Sequence, residues 1–284
     1  MSEEELVFQS NFDQEFLFES YGVVVKVGCN NQTLLLEAEM RIRNAFLNRL
    51  KIIESSNVSA KHLFEIGLQD SVYFFSENGS KSSQTGSKTV LLNFFESKVR
   101  LTIAEHAVSR VFLHSGVVGW KGKAILIPGN SYSGKTTLVA ELVKGGAVYY
   151  SDEYAVLDEF GFVHPFPRPL GMRGTGERHI QTDVSVESLG GVAGEEPLQV
   201  GMVLITEYHP DFGWDPIFLS PGGGVIEMIP HTIPMRFNTA FALDVLNKVA
   251  SSALVVKSQR HDSKKFAKIL LNFFDNRMNC VKMT

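Results

Sequence analysis

Cysteine is scarce: Cys29 and Cys280 stand far apart and without metal-like spacing. A disulfide framework and a cysteine-built zinc site are both excluded, and two packing thiols in a reducing compartment are expected. No apolar run approaches the roughly 20 residues that a membrane-spanning helix needs, so no membrane partner is expected. A basic surplus is also missing, because 27 Lys and Arg face 31 Asp and Glu for a net charge of −4; nucleic acid is therefore not an expected partner. The opening Met1-Ser-Glu-Glu-Glu is acidic, the opposite of a secretory signal's charged end, and the expected location is cytoplasmic. No internal repeat recurs. The 21 phenylalanines lack interleaved basic residues and read as core packing, not as a base-stacking surface.

With 44% hydrophobic and 20% charged residues, the chain can bury a full core, as one large domain or as a core with a smaller lobe. Its most informative stretch runs from Lys123 to Gly146. Ala124-Ile-Leu-Ile127 has the length and branching of a buried strand. Leu138, Val139, Leu142 and Val143 repeat at helical spacing, and Gly145-Gly146 stops the helix. Between them, Gly129-Asn-Ser-Tyr-Ser-Gly-Lys-Thr136 fits Gly-x-x-x-x-Gly-Lys-[Ser/Thr] at every fixed position. Glycines let successive N–H groups converge on one anion, and the helix beginning near Lys135 turns its positive end toward it. Gly129, Asn130, Ser131, Tyr132, Ser133, Gly134, Lys135, Thr136 and Thr137 are thus the candidate nucleotide-binding residues. Lys135 would reach the outer phosphates, and the Thr136 hydroxyl would ligate Mg²⁺.

Ala147-Val-Tyr-Tyr150 reads as a further strand, and it ends in Ser151-Asp152-Glu153. A carboxylate at a strand end beside such a loop is where a Mg²⁺ ligand or catalytic base belongs. Arg168 and Arg173 are candidate phosphate clamps, since guanidinium groups match phosphate oxygens with paired donors. Residues 1 to about 90 read as a small α/β lobe without evident chemistry. Within it, 78–88 is a solvated hairpin tip or mobile loop rich in Gly, Ser, Gln and Lys. Leu91 to Leu113 reads as one amphipathic helix, Pro221-Gly-Gly-Gly224 as a loop, and 182–197 as a glycine- and acid-rich loop serving as a candidate lid. The end is helical from Ala240 to about Ala253 and again from Ser263 to Phe274, with strand-like Leu254-Val-Val256 between.

His114-Ser-Gly-Val-Val, the strand pair, the loop ending Gly-Lys-Thr-Thr and the strand ending in Asp152-Glu153 occur in the order found in HPr kinase/phosphorylase and related kinases, which this chain resembles. The resemblance covers residues 110 to 180 well and extends weakly to about 275, through Ser258-Gln-Arg260. It implies an α/β fold: a P-loop kinase core of the HPr kinase/phosphoenolpyruvate carboxykinase type at 96–284, with the smaller α/β lobe at 1–95. It further implies ATP and Mg²⁺ as cofactors, phosphate transfer to a serine hydroxyl, and the self-association common among family members. Carried over by position, Asp152 takes the hydroxyl proton, Glu153 joins Thr136 and Asp152 at the metal, and His114 sits near the γ-phosphate. Gly171 stands where the signature Glu-x-Arg-Gly-x-Gly has its glutamate, which points away from HPr itself as substrate. The expected activity is an ATP- and Mg²⁺-dependent kinase acting on a hydroxyl of a protein, peptide or small molecule. The alternative is a silent ATP-binding module that engages a partner through its first lobe.

Overall fold

The computed structural model describes residues 12, 14–54, 58–173, 181–211 and 213–281, and it is a mixed α/β structure. The chain divides into two compact units, Met1–Val108 and Ser109–Thr284. The division falls later than 95/96 because Lys88–His106 is one continuous helix.

In the first unit, strands β1 (Gln14–Ser20) and β2 (Val23–Cys29) form a hairpin, followed by helix α1 (Gln32–Phe46) and strand β3 (Leu50–Ile53). Strands β4 (His62–Gln69), β5 (Val72–Glu77) and β6 (Ser80–Thr85) then lead to helix α2 (Lys88–His106). The sheet order is β3-β1-β2-β4-β5-β6, antiparallel except for β2 against β4. Part of the expected loop at 78–88 is strand β6, entered through Asn78-Gly79, both at positive φ. Asn-Gly is a strong two-residue hairpin signal, and the Ser, Lys and Gln that suggest a loop are what an exposed edge strand carries. The helix expected to run to Leu113 stops at His106. Ser109 at φ 57 turns the chain, and β-branched Val111 continues into a strand with no Gly or Pro to mark the change.

The second unit opens with β7 (Arg110–Trp120) and β8 (Lys123–Pro128), then helix α3 (Lys135–Lys144) and strands β9 (Val148–Ser151), β10 (Tyr154–Asp158) and β11 (Phe162–His164). A ribbon of β12 (Leu170–Arg173) and β13 (Gln181–Val184) precedes β14 (Leu198–Tyr208) and β15 (Ile217–Phe218). Helices α4 (Pro221–Met228) and α5 (Thr239–Ser252), strand β16 (Leu254–Arg260) and helix α6 (Ser263–Val281) complete it. Strands β8, β14 and β16 run parallel. β11 pairs with both β10 and β14, so β7, β8, β14, β11 and β10 close on one another.

Alternation sets the layers. Ile125 and Ile127 of β8 and Met202 and Leu204 of β14 pack with α3 and α6. Ala124, Leu126, Val203 and Ile205 pack with α5 on the opposite face. Pro221 to Gly224, expected as a loop, begins α4: Ser220 caps it, accepting from Gly223 N, and Pro221 follows at the first turn. A Cβ on Gly224 would come within 2.9 Å of Val255, so that glycine serves close packing of helix on strand. The expected loop at 182–197 contains the end of β13 and a short 3-10 turn at Glu187–Leu189. Among the described residues, no helix is long and apolar enough to cross a membrane.

Candidate functional site

The parallel strands β8, β14 and β16 all finish at the end of the sheet where the loop 129–134 begins, the edge at which α/β sheets hold ligands. Gly129 N donates to His114 O at 3.3 Å and Ser133 N to Asn130 O at 3.3 Å, which folds the loop back on itself. Gly134 is left-handed at φ +81 immediately before α3. A Cβ there would lie 2.5 Å from an Arg260 nitrogen, and one on Gly129 2.9 Å from Ser133 Oγ. The left-handed backbone requires glycine at 134, and Gly129 leaves room for the Ser133 hydroxyl. Tyr132 also takes a left-handed conformation (φ 69) and stays exposed, with Asn130 and Ser131 exposed beside it.

Lys135 is buried, and its ammonium donates to Gly129 O and Asn130 O, each at 2.8 Å. Arg260, at the end of β16, is 2% exposed. It donates to Ser133 O and Ser263 Oγ, both at 2.9 Å. Its contacts are neutral oxygens, and burial lowers its pKa with only Tyr208 opposing. No carboxylate among the described residues pairs with it, and a buried guanidinium so placed is unfavourable until an anion arrives. Arg260 Nε and Ser133 Oγ, together with Thr206 Oγ1 near the end of β14, are buried with no hydrogen-bond partner among the described residues. Such orphaned polar atoms around one loop are what a bound polyphosphate would satisfy.

The turn between β9 and β10 carries the acids. Ser151 Oγ accepts from Glu153 N (3.1 Å) and Tyr154 N (3.0 Å), which bends the chain at Asp152. Asp152 Oδ1 lies 3.1 Å from the Tyr149 hydroxyl, and Oδ2 accepts from Gly171 N at 3.2 Å. The Thr136 side chain lies near enough to this carboxylate to lower its pKa slightly. Burial raises the Asp152 pKa, the Gly171 amide opposes the rise, and Glu153 adds to it. The Tyr149 hydroxyl further contacts Arg168 O at 2.6 Å, and its pKa is raised by burial and by Asp152. Thr136 and Asp152 are thus near neighbours, which their separation in sequence leaves open.

Glu153 accepts from Arg168 Nη1 at 2.8 Å, so the structure ties Arg168 to the acid expected at a metal. His114 lies near Lys135 and Glu153; burial first, then Lys135, pushes its pKa down to about 4, against the pull of Glu153. Arg173 has a described backbone in β12, but its side chain and residues 174–180, including Arg178, lie outside the described residues. Tyr149 and His231 join this region without having been singled out for it, whereas Arg260 belongs to the Ser258-Gln-Arg260 stretch of the resemblance.

Beside Gly134 and Thr137 is a cavity of about 560 Å³, walled further by Tyr208, Arg260, His261 and Lys264. No family model matches the chain, and no curated protein does so either. Among the described residues, no group of three or more His, Cys, Asp or Glu could hold a metal by itself. Two hard oxygens, from Thr136 and Asp152, nevertheless fit Mg²⁺. That ion takes one or two protein ligands and fills its shell with substrate phosphates and water.

Proposed function

We propose that unit 109–284 is a P-loop kinase core of the HPr kinase/phosphoenolpyruvate carboxykinase type. It transfers the γ-phosphate of ATP, with Mg²⁺, to a hydroxyl of a protein serine, a peptide or a small molecule. The observation that carries this is the meeting of three things at one loop: the Lys135 ammonium, Thr136 close to Asp152, and the buried guanidinium of Arg260, which no described carboxylate pairs. The cavity beside Gly134 and Thr137 suits the nucleoside, with Tyr208 and His261 offering aromatic faces and Lys264 a positive charge.

The loop amides and the N-terminal end of α3 attract the phosphate chain, and Lys135 and Arg260 add full positive charges. Mg²⁺, when bound, neutralises charge on the outer phosphates. Asp152 accepts the proton of the attacking hydroxyl as the acceptor oxygen bonds to the γ-phosphorus and the bridging oxygen leaves with ADP. Its raised pKa brings it closer to working pH than an ordinary carboxylate. The Tyr149 hydroxyl and Gly171 N fix its orientation. Arg168 is held by Glu153 at the rim, where an acceptor would enter.

The test uses γ-labelled ATP with a cell extract and the full chain. Label should move to an acceptor with wild type and not with Asp152→Asn. Tight nucleotide binding with no labelled acceptor would favour the silent binding module instead.

A further inference from the structure

His231 lies far from the loop in sequence, in a short 3-10 turn at Ile229–His231. The next residue, Thr232, makes an antiparallel bridge with Leu113 of β7. That bridge lies on the β7 edge that β8 pairs from Ser115 onward and leaves as it enters the loop. One step along the bridge, His231 stands directly opposite His114, and directly opposed residues share a face. Leu113 faces the α5 layer, so the two imidazoles lie on the other face. Gly116 lies on that same face two residues on, and a Cβ there would meet Val139 of α3 at 2.6 Å and Lys135 Cβ at 3.8 Å. The pair is thus placed under the Lys135 side chain, where the strands fork.

His231 Nδ1 is buried and has no hydrogen-bond partner among the described residues. Thr232, buried beside it, anchors the turn by donating from Oγ1 to Met228 O at 3.0 Å. Burial and Lys135 lower the His231 pKa, opposed by Glu227 and Glu207. The same ammonium lowers that of His114, so both rings are neutral at physiological pH. Glu227 is paired with Lys257 at 2.5 Å and Glu153 with Arg168. A neutral imidazole carries one N–H donor and one acceptor. Two of them beside a phosphate-loop lysine offer directed donors without further charge.

Resting on the phosphotransferase function proposed above, we propose that His231 is a second imidazole of the transfer centre. It acts with His114 to donate to the oxygens of the phosphoryl group in flight. The bonds made and broken are those already described; His231 supplies a hydrogen bond and takes no proton.

The experiment needs no acceptor. Binding of Mg·ADP, and of Mg·ADP with beryllium trifluoride as a phosphoryl mimic, is measured by calorimetry on the full chain. Wild type, His231→Ala and His231→Phe are compared, with His231→Gln restoring a side-chain donor. Wild type should bind the trifluoride complex more tightly than ADP alone. The Ala and Phe variants should keep ADP affinity within about twofold and lose about 10- to 100-fold for the trifluoride complex, the range of one hydrogen bond to a charged group. The Gln variant should recover most of that loss. Unchanged trifluoride affinity in whichever of the Ala and Phe variants folds, with wild type still preferring the complex, would overturn the role of His231 alone. A wild type that binds neither ligand would overturn the phosphotransferase function, and this role with it.

Discussion

Arg260 gives the sharpest separation between a structural residue and a ligand-binding one. Replacing it with Met keeps the stem and removes the charge. Two charge-assisted hydrogen bonds at 2.9 Å disappear, to Ser133 O and Ser263 Oγ, a loss of about 3–6 kcal/mol in all. Against this, a guanidinium that is 2% exposed is no longer held out of water, and apolar replacement of buried ionic groups recovers about 1–4 kcal/mol. The two effects partly offset each other, so the ligand-free Arg260→Met protein should lose about 2 kcal/mol relative to wild type. Nucleotide binding should not be spared. One charge-assisted contact to phosphate, at about 2 kcal/mol, corresponds to an affinity loss of about 30-fold. At a Mg·ATP concentration about 100 times the wild-type Kd, wild type gains about 2.7 kcal/mol of stability. The variant would gain under about 1 kcal/mol from the same relation. For a unit of this size, about 2–4 °C accompanies each kcal/mol, so thermal melts with and without Mg·ATP resolve the difference. A variant whose ligand-free stability collapses while its nucleotide-induced shift survives would show Arg260 to be a staple of the loop and nothing more.

Two further expectations concern ionisation. His62 and His114 have pKa values pushed down to about 4, in both cases mainly by burial. The unfolded chain therefore binds more protons than the folded one between about pH 6.5 and about pH 4. Stability should fall as pH drops through that window, and His62→Asn should flatten the fall in equilibrium urea melts; an unchanged pH profile would contradict this. Asp152 carries the opposite consequence, because its raised pKa means that ionisation disfavours the folded state. Asp152→Asn keeps an acceptor for Gly171 N and removes the charge, so it should melt higher than wild type at pH 8 and lose that advantage near pH 3. A lower melting point at pH 8 would show that the carboxylate is a net stabiliser.

The strand, loop and helix around Lys135 were legible because each has a local cause: an apolar run of strand length, two glycines, and helical spacing closed by Gly145-Gly146. The carboxylate at Asp152 was legible as the end of the strand that follows α3. The approach of Thr136 to Asp152 was not, since it depends on the Ser151 turn and on Tyr149 closing from the side. His231 was invisible because a two-residue bridge to β7, not a strand pattern, brings it to His114. Strand β6 was hidden by the polar residues of an exposed edge, and α4 by glycines that admit Val255. In both places tertiary position overrode composition.

Binding of Mg·ATP by the full chain, wild type beside Lys135→Ala, tests the phosphate site most directly. Wild type should bind in a Mg²⁺-dependent manner, and the variant should lose about 100-fold or more, as expected when a buried ammonium no longer meets the outer phosphates. Equal affinity in the two proteins, with the variant folded, would contradict a nucleotide held at this loop.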